Sequence, residues 1–386
     1  MSTMQFLLQP HAPVLARDGR PFTADPGALA ESLAWPLPST LAGAMRTFVG
    51  NANGFKWSED DAERVKQIAV KSPFMVVRAL NHDWQFYLPT PADAVCYENE
   101  QGVKCLMRLS PWTDAPSDAG CNIPEGLLPL KITADVKPIQ KVDYWSWSST
   151  ALWLTMKEHG FPEDSLPHLP IETRVNVSID SSSGTSADGM LFSIASRCFS
   201  DVALELKVPN KKILQMAMYL HINAEALKIP TPSFIPFGGE RRVSALLPAE
   251  GLAFPDSATI IDSLVGNKHL KLQLLTPALF DTGWKPGWLT TEMINGKEEL
   301  LGNILSKIKV KLISVAIPRR GAVSGWDMVT NKPKAARSLV PAGSVYFFET
   351  EGALTEEEIK SLWLTSISDL TQDQLDGYGL VIPGIW

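Results

Sequence analysis

The sequence lacks any long stretch of uncharged apolar residues, and its first residues lack the basic and apolar segments of a secretory signal. A membrane-spanning helix needs about 18 or more such residues, so none is expected. Without a signal peptide, the expected location is the cytoplasm. Hydrophobic residues make up 45% of the 386 residues and charged residues 20%. These values are typical of a folded protein long enough for two domains.

Patterns of metal-binding residues are also absent. The four cysteines (Cys96, Cys105, Cys121 and Cys198) have no C-x-x-C or C-x-x-x-x-C spacing, and the six histidines show no H-x-x-x-H pattern. Such cysteines are expected to be free thiols in a reducing compartment. The sequence therefore predicts neither a metal site nor a cofactor.

An excess of basic residues is lacking as well, since the net charge is −7. This charge argues against a protein that coats nucleic acid non-specifically. The charges are unevenly distributed, however. Basic residues dominate between positions 303 and 347, and acidic residues dominate between positions 349 and 376. The pattern fits either one basic groove on an acidic body or charges that face solvent separately.

The C-terminal part has a pattern of strands and helices typical of a split β-α-β fold. Strands are predicted at 269–275, 309–317, 343–349 and 380–382. A helix is predicted over 297–306, and the capping box that begins at Thr355 opens another. The order strand, helix, strand, strand, helix, strand indicates a ferredoxin-like domain.

The N-terminal part shows the same order with longer insertions. A helix is predicted from Thr40 and a second from Asn210, and strands are predicted at 5–9, 74–79, 85–88, 104–109, 174–179, 202–207 and 243–247. In both parts a glycine-rich turn separates the last helix from the last strand. The predicted fold is α+β, with two ferredoxin-like (RRM-like) domains at 1–250 and 251–386, the first with an insertion at about 80–200.

A basic turn and a helix start near the N-terminus form a candidate phosphate site. Gly19 permits a turn that presents Arg17 and Arg20. Ser39 or Thr40 is expected to cap the following helix, with Arg46 on its flank. A helix N-terminus beside arginines attracts phosphate.

The turn between residues 237 and 242 forms a second candidate site. Gly238 and Gly239 would let an RNA backbone approach closely, and Arg241 and Arg242 would bind its phosphates. Glu240 would orient an arginine or accept a hydrogen bond from a base. The alternative is a hairpin turn with exposed arginines.

Further candidates are spread over the C-terminal part. Phosphate contacts are expected from Lys332, Lys334 and Arg337. Phe22, Trp326 and Tyr378 are candidate base contacts, although each fits a core role more readily. Lys309 and Lys311 share a strand face, which is either an RNA floor or a solvated edge. The tryptophan-rich segment 142–154 would either stack on bases or, more commonly, fill a core.

Several motifs together resemble the third subunit of the Cmr complex, a RAMP-type subunit of the type III-B CRISPR effector. The motifs follow the family's order along nearly the whole chain, and they are RDGRPF, PSTLAGAMRT, PTPADAV, GTSADGMLFS, FGGERRVSALLP, GWDMVTNKPKAARSLVPAGSVYFFE and DGYGLVIPGIW. The segment at about 114–125 matches nothing in the family pattern.

The resemblance implies a non-catalytic scaffold with two RRM-like domains. Such a subunit binds the repeat-derived 5′ tag of the crRNA and contacts the large polymerase/cyclase-like subunit and a backbone RAMP subunit. It touches target RNA at most indirectly. The family's tag-binding loops correspond here to Arg17, Arg20, Ser39, Thr40 and the segment 238–242, and its C-terminal glycine-rich loop corresponds to Gly377 and Gly379.

Two alternative functions follow from the same residues. One is a repeat-processing endoribonuclease of the RAMP fold, for which His11 is the candidate general base. The other is a protein adaptor that docks through the acidic C-terminal region and the tryptophans. The RNA-binding hypothesis predicts that Arg20→Ala or Arg242→Ala weakens binding of the tag and flattens its salt dependence.

Overall fold

The computed structural model describes residues 4–17, 28–79, 82–116, 123–139, 142–157, 160–199, 214–224, 227–327 and 332–386. Among these residues the chain is mostly strand, with short helices. No helix in this part of the chain is long and apolar enough to cross a membrane.

The elements of the first part of the chain are β1 (Met4–Pro10), β2 (Ala28–Glu31), α1 (Pro38–Ala52), α2 (Glu59–Lys66), β3 (Ala69–Ala79), β4 (Gln85–Pro89), β5 (Ala94–Glu98), β6 (Lys104–Arg108), β7 (Ser110–Pro111), β8 (Leu130–Lys131), β9 (Tyr144–Ser146), α3 (Trp147–Leu154), β10 (Ile171–Ile179), β11 (Ser186–Arg197), β12 (Leu214–Asn223), β13 (Ser233–Pro236) and β14 (Val243–Pro248). A single 3₁₀ turn covers Gly239–Arg241.

The elements of the second part are α4 (Ala258–Leu264), β15 (His269–Leu274), β16 (Leu289–Ile294), β17 (Lys297–Ile304), β18 (Ile308–Ala316), β19 (Gly321–Val323), β20 (Trp326–Asp327), β21 (Lys332–Pro333), β22 (Arg337–Leu339), β23 (Val345–Thr350), α5 (Glu356–Leu362), β24 (Thr365–Ser366), α6 (Thr371–Asp376) and β25 (Leu380–Ile385).

The chain forms two compact units. Unit one comprises Met1–Gln85, His168–Leu252 and Ala322–Arg337, and unit two comprises Phe86–Pro167, Ala253–Gly321 and Ser338–Trp386. The segment 86–167, which includes most of the region predicted as an insertion in the first domain, therefore groups with the C-terminal strands.

Unit one contains an antiparallel sheet with the strand order β13-β14-β1-β12-β3. One face carries Phe6 and Leu8 of β1 opposite Leu220 and Met218 of β12. Helix α1 packs on this sheet and buries three apolar residues along one face, Leu41, Met45 and Val49. This burial confirms the predicted strand and the apolar face of the helix.

A small three-stranded sheet also belongs to unit one, in the order β10-β11-β2. Strands β10 and β11 form an antiparallel hairpin, and β2 joins β11 in parallel. Leu15, Ala30 and Ile194 are buried together against Phe192. The opposite face of the hairpin is exposed and apolar.

Unit two contains a sheet with the order β16-β17-β18-β23-β15-β25-β24. The predicted strands at 269–275, 309–317, 343–349 and 380–382 are confirmed as β15, β18, β23 and β25. The capping box is also confirmed, because Thr355 Oγ1 accepts from the Glu358 amide and the Glu358 side chain accepts from the Thr355 amide.

Two predicted helices are strands. Residues 297–304 form β17, because Asn295 and Gly296 adopt positive φ angles of 52° and 77° and close a tight hairpin with β16. The run from Leu214 to Asn223 is the strand β12 rather than a helix, and β1 and β3 pair with its two edges. Most of its residues are buried, and a continuous apolar run of this kind fits a buried strand as well as a buried helix. The strand predicted at 202–207 lies outside the described residues.

Both faces of the unit-two sheet are covered in its central strands. Leu270, Leu272 and Leu274 of β15 are fully buried on one face. On the other face, Gln273 donates a hydrogen bond to the Pro89 carbonyl at 2.8 Å, and Ala92 packs with Ala316, Val345 and Phe347. Segment 86–167 therefore covers this second face where Pro89 and Ala92 contact it.

Candidate nucleic-acid interface

The turn between β13 and β14 approaches the segment that follows β1. The turn is closed by a hydrogen bond from the Phe237 amide to the Arg242 carbonyl at 2.8 Å, and the Gly239 amide donates to the Leu15 carbonyl at 2.7 Å. Gly238 has φ +77° and ψ −170°, a conformation that is essentially restricted to glycine. A Cβ atom on Gly238 would lie 3.0 Å from the Leu15 carbonyl oxygen and 3.1 Å from Val14. The glycines therefore allow the protein's own chain to approach closely, and the predicted contact with an RNA backbone stays a prediction.

Arg242 holds this turn in place. Its guanidinium donates to the Glu240 carboxylate through Nε at 3.0 Å and Nη2 at 2.6 Å. The same group donates through Nη1 to the Pro13 carbonyl and to Ser196 Oγ at 3.3 Å. Only 12% of the Arg242 side chain is exposed. The predicted orienting role of Glu240 is confirmed, but Arg242 is a clamp within the protein rather than a free phosphate ligand.

Arg241 points outward from the same turn. It is exposed, and its backbone has a positive φ of 50°, next to 61° at Glu240. Among the described residues Arg241 has no hydrogen-bond or ion-pair partner. Because its neighbour Arg242 is clamped on both sides, the Arg241 backbone is fixed while its charge remains available. Arg17, also exposed, lies two residues beyond Leu15, the residue that the turn binds.

An exposed aromatic pair lies beside this turn, and one of its members, Phe234, is not among the residues that the sequence singled out. Phe234 of β13 is 73% exposed, and its ring centroid lies 5.9 Å from that of His11, with the planes at 51°. The His11 amide donates to the Val243 carbonyl at 3.3 Å, which places His11 at the start of β14. The alternation of Phe234 with the buried Ile235 in a short strand before a glycine turn was the available signal. We call His11, Arg17, Phe234, Arg241 and Val243 the glycine-turn surface.

The start of α1 lacks two features that the sequence predicted for a phosphate site, a side-chain cap and an exposed arginine on its flank. The helix begins at Pro38 after Leu37, and no side chain caps it. Ser39 and Thr40 lie in the first turn, so the predicted capping role is wrong. Arg46 is also not on an exposed flank, because it is buried and donates from Nε at 3.2 Å and Nη2 at 2.8 Å to the Ile68 carbonyl. Gly19, Arg20 and Phe22 lie outside the described residues.

The C-terminal glycine-rich loop is part of the core of unit two. Gly377 ends α6 in the left-handed conformation, and its carbonyl accepts from Thr276 Oγ1 at 2.7 Å. Tyr378 is 1% exposed, which confirms the core role that it fitted more readily and excludes it as a base contact. Gly379 donates to the Pro277 carbonyl at 2.7 Å and packs against Ser368.

A family model described as CRISPR-associated protein (Cas_Cmr3) matches residues 6–386. The chain belongs to the Cas_Cmr3 family. This membership confirms the resemblance to the third subunit of the type III-B Cmr complex, which rested on motifs spread over the same length.

Solved structures of CRISPR effectors are similar to this Cas_Cmr3 chain. One is a chain of the cryo-EM structure of the type III-B Cmr-beta complex bound to cognate target RNA and AMPPnP, with 16% identity over 89% of this chain and 86% of that chain and a TM-score of 0.44. A second is a chain of the Csm3–Csm4 subcomplex of the type III-A interference complex, with 11% identity over 92% and 95% of the two chains and a TM-score of 0.35. No curated protein matches the chain.

The other basic residues of the Cas_Cmr3 chain that were candidates for RNA contact are distant in sequence from the turn between β13 and β14. Lys332 and Lys334 are exposed near the short β20–β21 pair, in which Trp326 pairs with Pro333, and Arg337 is half-buried. Lys309 pairs with Glu351 at 2.9 Å and Lys311 with Glu299 at 2.6 Å. The face that carries Lys309 and Lys311 is therefore neutralised, which favours a solvated edge over an RNA floor.

The tryptophan-rich segment fills a core. Trp145 and Trp153 are buried and meet edge to face at 5.4 Å, and Trp147 meets Trp363 in the same way at 5.7 Å. The commoner of the two roles considered for these tryptophans is thus confirmed, and base stacking by Trp145 or Trp153 is excluded by their burial.

His221 gives unit one a dependence on pH. It lies on β12 between Gln5 of β1 and Lys71 of β3, and burial, assisted by Lys71, lowers its pKa from the ordinary 6.5. The unfolded chain therefore binds the proton more readily, and stability should be lost as the pH falls below 6.5 towards the pKa of the folded state.

We expect His221→Gln to flatten the loss of unfolding free energy between about pH 7 and pH 5, as measured by urea unfolding. His82→Gln, which changes an exposed histidine of the same unit, is the matched control and should leave the slope unchanged. Equal slopes for the wild-type protein and both variants would contradict this role of His221.

Proposed function

We propose that this chain is a non-catalytic, RNA-binding structural subunit of a type III-B CRISPR effector in the cytoplasm, and that it holds the 5′ repeat-derived tag of the crRNA. The observation that carries this proposal is Arg241, a cation with no partner among the described residues, on a clamped turn beside an exposed aromatic pair. Membership of the Cas_Cmr3 family supports it.

The geometry suits single-stranded RNA. An arginine on a fixed backbone needs only its side chain ordered to bind a phosphate, and an exposed ring offers a flat face to a base. Recognition of unpaired bases is also the usual way in which proteins read a short RNA of fixed sequence. Arg17 extends the positive charge along the same segment, and Arg20 follows it in sequence.

The strand orders support two ferredoxin-like folds. The four central strands of unit one are, in chain order, β1, β3, β12 and β14. Across the sheet they lie in the order β14-β1-β12-β3, which is 4-1-3-2 when the strands are numbered along the chain. Strands β15, β18, β23 and β25 of unit two have the same arrangement. Unit one has a helix, α1, between its first and second strands, and unit two has α5 between its third and fourth. We infer a duplication with its boundary near residue 250, in which segment 86–167 packs with the second copy.

Assembly with other subunits is the second part of the proposal. The chain would bridge the large polymerase/cyclase-like subunit and a backbone RAMP subunit, touching target RNA at most indirectly. The exposed face of the β10–β11 hairpin supports protein contacts, because Val175, Ile179 and Leu191 are 69%, 58% and 57% exposed there. Apolar patches of this kind mark interaction sites.

An endoribonuclease of the same fold is the alternative. His11 is the candidate general base for this activity. Its ring packs against Phe234, and no acidic or basic side chain among the described residues contacts it. General acid–base cleavage needs such a partner close to the 2′-hydroxyl. Specific cleavage of repeat RNA that His11→Ala abolishes would favour this alternative.

Binding of tag RNA at several salt concentrations tests the RNA-binding proposal. We expect Arg241→Ala to weaken binding roughly three- to tenfold and to lower the salt slope by about 0.7, the value for one phosphate contact on single-stranded RNA. The control is Lys309→Ala, which removes one exposed charge that is already paired with Glu351. If both variants bind with the wild-type affinity and slope, the tag is held elsewhere.

A further inference from the structure

We propose that Phe234 is a base-stacking residue, and that its ring receives one unpaired nucleobase of the bound RNA while His11 supports the ring from the side. This inference rests on the proposed function and deepens it, because it assigns a base contact to Phe234, a residue that the sequence did not single out.

Strand pairing fixes the backbone of Phe234, although its side chain is exposed. It lies on β13, the edge strand of the unit-one sheet, and pairs in register with Ala245 of β14. The next residue, Ile235, is 1% exposed and anchors the strand in the core. Successive strand residues point to opposite faces, so the buried Ile235 fixes the outward direction of the Phe234 ring.

The exposure of Phe234 is unusual within this protein. Among the described residues it is the only phenylalanine in the group of exposed large apolar side chains, whereas Phe74, Phe199 and Phe237 are fully buried. Among the described residues its ring neighbour is His11, at a centroid distance of 5.9 Å. A phenyl ring that packs on one side only leaves a free face, and every base has an aromatic face to place there.

The surroundings favour a nucleotide over an apolar protein partner. Arg241 lies in the turn that follows β13, and among the described residues it has no hydrogen-bond or ion-pair partner. Val243, 50% exposed, begins β14 beside His11 and extends the apolar floor. A base on Phe234 with its phosphate near Arg241 would use both features, whereas an apolar protein surface would leave the arginine without a partner.

The experiment uses the purified full chain and an RNA oligonucleotide of the tag sequence that carries 2-aminopurine at one position at a time. Stacking on an aromatic ring changes the fluorescence of 2-aminopurine. We expect Phe234→Ala to weaken binding roughly tenfold, to abolish the fluorescence change at one position and to leave the salt slope unchanged. Phe234→Trp should keep both the affinity and the signal. Met293→Ala, which trims another exposed apolar side chain, is the control.

The outcomes separate this inference from the proposed function. If Arg241→Ala weakens binding but Phe234→Ala does not, Phe234 is not a stacking residue and the RNA-binding proposal stands. If the Phe234→Ala variant binds RNA with full affinity but no longer assembles with the other subunits, Phe234 is a protein contact and the inference is overturned. If neither variant changes RNA binding, both the inference and the proposed function fail. An unchanged melting temperature shows in each case that the variant is folded.

Discussion

Replacing Lys271 with methionine should lower the free energy of unfolding of unit two by about 3–5 kcal/mol. Lys271 Nζ lies 2.8 Å from Asp93 Oδ2, and both side chains are 2% exposed. The substitution would leave the Asp93 carboxylate buried without its counter-charge, which costs far more than losing a surface ion pair.

The neighbours of this pair explain why the loss should be large. Trp153 Nε1 donates to Asp93 Oδ1 at 2.8 Å, and the Arg108 guanidinium stacks on the Trp153 ring at 3.7 Å from its centroid. Burial lowers the pKa of Lys271, and Asp93 opposes that change. The pair thus joins Asp93, in the PTPADAV motif of segment 86–167, to the central strand β15.

Two variants control this prediction, and chemical unfolding monitored by tryptophan fluorescence would measure all three. Adding Asp93→Asn to Lys271→Met removes both charges and keeps an acceptor for Trp153, so the double variant should recover about 1–2 kcal/mol of the loss. Lys309→Met, which breaks the exposed pair with Glu351, should cost less than about 1 kcal/mol. A Lys271→Met variant no less stable than Lys309→Met would show that the buried pair does not hold segment 86–167.

Gly379→Ala should destabilise unit two by about 2–4 kcal/mol. Gly379 has φ +71°, and an added Cβ would lie 2.4 Å from Ser368 Oγ and 2.7 Å from the Ser368 amide nitrogen. Ser368 cannot move freely, because it is buried and its Oγ accepts from the Leu279 amide at 3.2 Å. Thermal unfolding would detect the change as a lower melting temperature.

Gly352→Ala is the matched control for this substitution. Gly352 has no atom within 4 Å of an added Cβ, so the change should be within about 0.5 kcal/mol of neutral. If Gly379→Ala kept its stability and instead lost tag binding, the glycine-rich loop would be an RNA contact, as the sequence suggested, and not the structural turn seen here.

Local sequence patterns were sufficient for much of the fold. The strands β1, β15 and β23 and the helix that follows Thr355 rest on alternation, short apolar runs and a capping box, which act within a few residues. The prediction of a helix at 297–306 was wrong because the buried residues Leu300 and Ile304, four positions apart, fit the period of a strand as well as that of a helix. The Asn295–Gly296 pair beside them favours a two-residue turn between strands, and this local signal decides the structure.

The candidate site was less predictable because long-range contacts decide it. Arg241 and Arg242 are adjacent in sequence, but contacts with Pro13 and Ser196 make only Arg242 a clamp. Arg46 has the local pattern of a phosphate ligand beside a helix start, but its guanidinium donates instead to the Ile68 carbonyl, 22 residues away in the sequence. The buried Lys271–Asp93 pair joins residues separated by 178 positions, which no local pattern connects.

Crosslinking within the assembled effector tests the central claim most directly. A crRNA with 4-thiouridine in its 5′ tag would be irradiated, and the crosslinked peptides of this subunit would be mapped by mass spectrometry. We predict crosslinks to peptides that contain His11–Arg17 and Phe234–Val243. Tag crosslinks confined to unit two, or none to this subunit, would contradict the assignment of the glycine-turn surface as the site that holds the tag.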